Sequence, residues 1–268
     1  MEKRGSEERP LLYDVSDRIA TITLNRPEKL NAFTDEMLAL WATALESARD
    51  DDQVRVIVLA ASGRGFCSGA DFSRKDPSIE VTPVSVKARA ENGLQRIPLL
   101  LSEIDKPVIA AVNGVAAGAG LDLALMCDIR FAAESATFAE VYTKLGLLPG
   151  GGGAYFLPRL VGVAKALEMF WACEFVDARE ALNIGLVNRV HPDAELMSAT
   201  YEFARKVAEA PPLSVRLIKR AVYSGLTTDL RTSLDLVSSH LSIARTSRDN
   251  AEALTAFREK RKGNYEGR

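Results

Sequence analysis

Residues 54–60 form a continuous apolar run broken by one arginine, Arg55, and residues 108–112 form another. Runs of this length without polar alternation fit strands covered on both faces. A third run, Ile19–Leu24, is apolar and β-branched and also reads as a strand. Between the first two strands in the chain, residues 34–49 carry Met37, Leu38, Trp41, Leu45 and Ala48 at helical spacing, with Thr34 placed as the N-cap. Strand, helix, strand in this order predicts an α/β fold.

Downstream, the small-residue run at 114–120 leads into a predicted helix through Leu121, Leu125 and Met126, and residues 131–141 read as mixed and extended. Four consecutive glycines, Gly150 to Gly153, predict a loop without regular structure that can approach a ligand closely. Residues 163–171 have helical spacing, Asp177 with Glu180 forms a capping-box pattern, and Pro211-Pro212 opens a helix through Tyr223. From about Asp193 onward nearly everything is helical, which divides the chain into a core of residues 1–200 and a helical region of residues 201–268. Residues 81–101 show little pattern, and no internal repeat is evident.

A chain of 268 residues with 47% hydrophobic and 26% charged residues is expected to fold around a substantial core. Its net charge of −2 and scattered basic residues give no footprint for nucleic acid; the one dense basic run is Lys260-Arg261-Lys262. Three widely spaced cysteines, Cys67, Cys127 and Cys173, make neither a disulfide framework nor a zinc pattern and fit a reducing setting. The first ten residues are charged, and no stretch of ~18 apolar residues suits a membrane span, so a cytoplasmic location without membrane partners is expected.

The two histidines, His191 and His240, pair with no nucleophile by spacing, and no metal motif is present, so neither a Ser-His hydrolase nor a metal centre is expected. Gly118-Ala119-Gly120 follows a strand and begins a helix as a dinucleotide fingerprint does, yet Leu123 occupies the place of the third glycine. Two small-residue segments remain, residues 65–71 and 114–122, each placed at a loop or helix start where backbone N–H groups are left free. Two such amides that converge make an oxyanion hole.

The chain carries Leu24-Asn25-Arg26-Pro27-Glu28-Lys29-Leu30-Asn31-Ala32-Phe33, Ser68-Gly69-Ala70-Asp71, Ala111-Val112-Asn113-Gly114, Ala124-Leu125-Met126-Cys127-Asp128, Leu157-Pro158-Arg159-Leu160-Val161-Gly162 and Ala256-Phe257-Arg258-Glu259-Lys260-Arg261. With these it resembles the crotonase (enoyl-CoA hydratase/isomerase) family across almost its whole length. The resemblance implies a spiral of ββα units followed by a helical region that packs homotrimers, often stacked into hexamers. It also implies an acyl-CoA substrate and no cofactor apart from the coenzyme A carried by that substrate.

By position, the resemblance makes the amides of Ala70 and Ala119 the two oxyanion donors. It runs coenzyme A along Lys29, Leu30 and Ala32 and along Ser68, Asp71, Phe72 and Gly118, with Lys260 reaching the ligand of a neighbouring subunit. Asp122 falls on the position of the family's first catalytic glutamate and Tyr142 on that of the second. A tyrosine, with a reference pKa of about 10, is a donor rather than a base at neutral pH. Glu140 would share a face with Tyr142 if that segment is extended. Asp122, in a first helical turn, is expected to be held ionised by the helix dipole and to act as a base. An enoyl-CoA hydratase is the implied activity. The alternatives are an isomerase or related CoA enzyme using a single carboxylate, and a non-catalytic acyl-CoA-binding protein.

Overall fold

The computed structural model describes residues 9–71, 73 and 81–268. It begins with an antiparallel pair, β1 (Leu11–Ser16) and β2 (Ile19–Leu24). Asp17 and Arg18 join them with φ of 51° and 64°, the left-handed pair whose twist matches a two-residue hairpin turn. Helix α1 (Asp35–Asp50) starts where the sequence predicts, with Thr34 Oγ1 accepting from the N–H of Met37 at 3.2 Å. Its predicted stripe of Met37, Leu38, Trp41, Leu45 and Ala48 is buried.

Strands β3 (Val56–Ala61) and β4 (Gly65–Cys67) follow, and then two helices, α2 (Pro83–Asn92) and α3 (Arg96–Glu103). The sequence gives no sign of α2 because it buries no residue and so has no apolar stripe to detect. Next come β5 (Val108–Val112), β6 (Val115–Ala117), α4 (Ala119–Leu125), β7 (Ile129–Ala133) and β8 (Thr137–Ala139).

The glycine run is not wholly irregular. Gly153 is the first residue of α5 (Gly153–Val161), and Gly152 caps it with φ of 109°, a conformation that favours glycine. The chain continues through α6 (Val163–Ala172), β9 (Val176–Asp177), α7 (Ala178–Asn183) and β10 (Arg189–His191). It ends in α8 (Leu196–Ala208), α9 (Pro212–Gly225), α10 (Leu230–Thr246) and α11 (Arg248–Glu259).

The strands form two sheets. One has six strands in the order β1-β2-β3-β5-β7-β10, parallel from β2 onward, and the other has the order β4-β6-β8-β9. Each successive unit gives its first strand to the large sheet and its second to the small one, as β3 and β4, β5 and β6, and β7 and β8 do. This repeat is the α/β spiral that the motifs imply.

Side chains alternate across the large sheet. Ile57 and Leu59 join Trp41, Leu45 and Phe66 in the main core, whereas Val56 and Val58 pack with Ile109 against Ala204 and Ala208 of α8. Helices α9 to α11 are different: α10 buries no residue, and Leu226, Leu230, Leu234 and Phe257 are exposed. Among the described residues no helix is long and apolar enough to cross a membrane.

Candidate active site

The small sheet positions the candidate site. Strands β4, β6 and β8 are parallel and adjacent, so the segments that leave their C-terminal ends, residues 68–70, 118–120 and 140–142, emerge side by side. Ligands in parallel α/β sheets commonly bind at this edge.

The first two segments are in van der Waals contact. A Cβ added to Gly69, where φ is 101°, would lie 3.2 Å from the carbonyl oxygen of Ala117 and 3.8 Å from the nitrogen of Ala119. Gly120 sits even closer to the other strand, since a Cβ there would fall 2.1 Å from the carbonyl oxygen of Cys67. Phe33 bridges to the segment on either side of Ala70: its N–H donates to Gly69, and its carbonyl accepts from Asp71, both at 2.9 Å. The N–H of Ala70 is left out of that pairing. Ala119 is the first residue of α4, so its N–H has no acceptor within the helix. Among the described residues neither amide donates a backbone hydrogen bond.

A latch holds the preceding loop. Leu30 and Asn31 both have positive φ, 47° and 55°, and the side chain of Asn31 is fully buried. Its Nδ2 donates to Ser62 at 2.9 Å and Gly65 at 2.8 Å, while its Oδ1 accepts from the N–H of Arg26 at 2.7 Å. Ser68 N–H donates to the carbonyl of Leu30 at 3.0 Å, which ties loop and strand end together. The Asn31→Ala variant strips three backbone groups of their partner, that of Gly65 buried and those of Arg26 and Ser62 partly so. It is expected to lose about 2–4 kcal/mol of stability, read from urea melts as a lower midpoint with unchanged slope.

The expected coenzyme A positions divide into two kinds. Lys29 is exposed at the surface of this loop, Leu30 and Ala32 are half-buried in it, and Ser68 lies beside it. Asp71 is already engaged: its Oδ2 pairs with Arg26 at 2.8 Å, and its Oδ1 accepts from the N–H and hydroxyl of Ser73. These bonds hold its carboxyl well below the ordinary range, the Ser73 hydroxyl contributing most. Gly118 uses its N–H on Ala139 at 2.8 Å and its carbonyl on Leu121 and Asp122. Phe72 lies outside the described residues. Lys260 is exposed at the left-handed C-cap of α11, and its ammonium meets no partner among the described residues.

Asp122 lies one helical turn beyond Ala119 and is completely buried. Its Oδ2 accepts from the hydroxyl of Tyr142 at 2.6 Å and the N–H of Gly151 at 3.0 Å. The helix dipole does not dominate its titration, contrary to the sequence-based expectation. Burial prevails and raises the carboxyl to about 6, while the Tyr142, Gly151 and Gly153 donors pull the other way. A seven-residue helix has a weak dipole, and complete desolvation outweighs it.

Tyr142 is a donor, as its chemistry predicts, and burial together with the Asp122 charge pushes its hydroxyl far above the ordinary phenol range. Glu140 does come near it, though not through an extended face. Strand β8 stops at Ala139, and Tyr142 is in the helical region with φ of −63° and ψ of −42°. Glu140 and Tyr142 are instead turned toward Asp122 by the bend that follows the strand.

Gly151 and Gly153 have site roles that sequence reasoning assigned to ligand approach. A Cβ on Gly153 would fall 2.2 Å from Asp122 Oδ1, and one on Gly151 would fall 2.8 Å from Oδ2. The glycine run makes room for a carboxylate of the protein itself. Its signal was the run of four glycines; its target, 29 residues away in the chain at Gly151, was not readable.

Comparison with known proteins matches residues 14–268 to the family model described as enoyl-CoA hydratase/isomerase. The chain is 40% identical to the 1,2-epoxyphenylacetyl-CoA isomerase of Escherichia coli K12, over 96% of this chain and 98% of that one. It is 34% identical to the crotonyl-CoA hydratase of Syntrophomonas wolfei, over 95% and 97% respectively. Among solved structures, an enoyl-CoA hydratase from Bacillus anthracis superposes with a TM-score of 0.92 at 33% identity, covering 97% of this chain and all of the other.

Proposed function

We propose that this chain, which belongs to the enoyl-CoA hydratase/isomerase family, is an enoyl-CoA hydratase that holds its substrate's thioester oxygen between the amides of Ala70 and Ala119 and uses Asp122 as base. The observation that carries the reading is the contact between the ends of β4 and β6. It supports the convergence of two amides that donate no backbone hydrogen bond, near the buried carboxylate of Asp122.

In this reading the acyl-CoA carbonyl enters between the two N–H groups. As charge gathers on its oxygen, each donor contributes ~3–4 kcal/mol to the transition state. Asp122 takes a proton from water as the water attacks the β-carbon, and returns a proton to the α-carbon of the enolate. Tyr142 and Gly151 occupy Oδ2, which leaves Oδ1 as the oxygen that exchanges the proton. Coenzyme A lies along Lys29, Leu30, Ala32 and Ser68, and Lys260 serves the ligand of a neighbouring subunit. The exposed leucines of α9 to α11 support a homotrimer or hexamer, and three unbridged thiols fit a cytoplasmic setting.

A second reading, movement of the double bond without water, is favoured by Tyr142. A neutral phenol at that position leaves one ionised acceptor, and one carboxylate suffices to carry a proton between two carbons. The curated relatives named above include both a hydratase and an isomerase. Mass spectrometry of products from a panel of enoyl-CoA esters separates the readings. Hydration adds the mass of one water, isomerisation leaves the mass unchanged, and tight binding without any product would reduce the chain to an acyl-CoA-binding protein.

The base must be ionised to work, and burial raises it to about 6. The value of kcat/KM is therefore expected to climb about tenfold per pH unit below that point and to level off above it. A profile still flat at pH 5 would remove Asp122 from the proton-transfer step.

A further inference from the structure

Glu140 is a carboxyl beside Asp122 that the mechanism above does not use. It is completely buried, and neither of its oxygens has a hydrogen bond among the described residues; Asp122 Oδ1 is likewise without one, the N–H of Gly153 acting on that carboxyl only from longer range. The groups that face Glu140 are Asp122 from α4, Cys173 from the end of α6, and Tyr142 two residues on in its own segment. None of them is a cation. Two carboxylates in one dry site cannot both ionise, so one keeps its proton, and a proton placed between them supplies a donor to acceptors that otherwise have none.

We propose that Glu140 is a positioning residue that works in its neutral form, its carboxyl O–H donating to one lone pair of Asp122 Oδ1 and leaving the other for the transferred proton, while Tyr142 and Gly151 hold Oδ2. The assignment of the proton to Glu140 follows from the unequal surroundings. Asp122 has the phenol and backbone N–H donors that stabilise an anion, whereas Glu140 has none. Burial and the Asp122 charge accordingly push Glu140 far above the ordinary carboxyl range, to about 10. The proposal deepens the reading of Asp122 as base and rests on it for its effect on rate, but the protonation of Glu140 can be tested without it.

Glutamine at position 140 offers a permanent N–H in place of the O–H. In the Glu140→Gln variant kcat is expected to stay within about threefold of wild type, and the acid limb of kcat/KM is expected not to move. Glu140→Leu removes the donor. Its acid limb is expected to move upward by half a pH unit or more, because the ionised form of Asp122 loses a bond. A downward shift of the limb in Glu140→Gln would mean that Glu140 is normally an anion and would overturn the proposal. An unmoved limb in Glu140→Leu would overturn it as well.

Melting temperature gives a readout independent of turnover. A carboxyl whose folded pKa is raised stabilises the fold fully below its unfolded pKa, near 4.3, and loses that contribution as pH rises toward the folded value. The margin by which Glu140→Gln out-melts wild type is therefore expected to widen by several degrees between pH 5 and pH 9. A margin that stays constant across that range overturns the proposal even if no substrate is found. A widening margin together with a rate indifferent to Asp122 would instead leave Glu140 protonated and sink only the reading of Asp122 as base.

Discussion

Asp122→Asn is expected to lower turnover of the preferred enoyl-CoA by ~10²- to 10⁴-fold, the range for removing a positioned acid–base group. The amide is close in size to the carboxyl, and its oxygen can still accept from Tyr142 and Gly151, so the packing against Gly153 is retained. Only the capacity to take up a proton is lost. Stability should move in the opposite direction to activity. Asp122 has a raised folded pKa, so its contribution to stability is complete below the unfolded value, near 3.9, and disappears as pH rises through about 6. Asparagine does not titrate, and at pH 8 the variant is expected to melt at or above the wild-type temperature. Steady-state kinetics and thermal melts at pH 5 and pH 8 check both halves. A rate within tenfold of wild type would exclude Asp122 as the base, and a variant that melts far below wild type at pH 8 would mean that the buried charge is structural.

That such a site was partly legible in the chain follows from the range of the interactions involved. The runs at 54–60 and 108–112 became β3 and β5 because strands covered on both faces leave a continuous apolar trace, and the β-branched run at 19–24 became β2. The cap at Thr34 was readable because donor and acceptor are three residues apart. Strands β4, β6 and β8, which build the site, have three residues each, too few to establish a period. The motifs at 68–71 and 113–114 located the strand ends through family resemblance, where periodicity had nothing to offer.

The contacts among Asp122, Glu140, Tyr142 and Gly151 lie on three segments separated by loops and helices, and no local rule predicts them. The helix-dipole expectation for Asp122 failed for a related reason. Burial is a property of the assembled fold, and in the sequence Asp122 is simply an acidic residue near a helix start. The latch at Asn31 was visible within a family motif, but its partners Ser62 and Gly65 come from the far side of β3.

The Gly120→Ala variant is expected to damage rate and stability together, because the glycine is needed for space. Gly120 has no positive φ, so alanine meets no conformational strain there. The obstruction is the backbone of Cys67, whose carbonyl oxygen, carbonyl carbon and Cβ would lie 2.1, 2.6 and 2.9 Å from the new methyl group. A main chain at the end of a strand cannot swing aside as a flexible side chain can, so the start of α4 and the end of β4 must separate. The amide of Ala119 begins α4, and that of Ala70 lies in the segment that leaves the end of β4. Moving one out of reach of the thioester oxygen removes one donor, which is expected to cost ~10²–10³ in kcat. Overpacking adds about 1–3 kcal/mol of destabilisation. Gly225→Ala is the control, since its methyl group would meet only the hydroxyl of Ser233, at 3.3 Å, in the last turn of α9; its rate should stay within twofold of wild type. If Gly120→Ala turns over substrate and melts as wild type does, the two strand ends are not held in register by that contact, and the paired amides lose their structural basis.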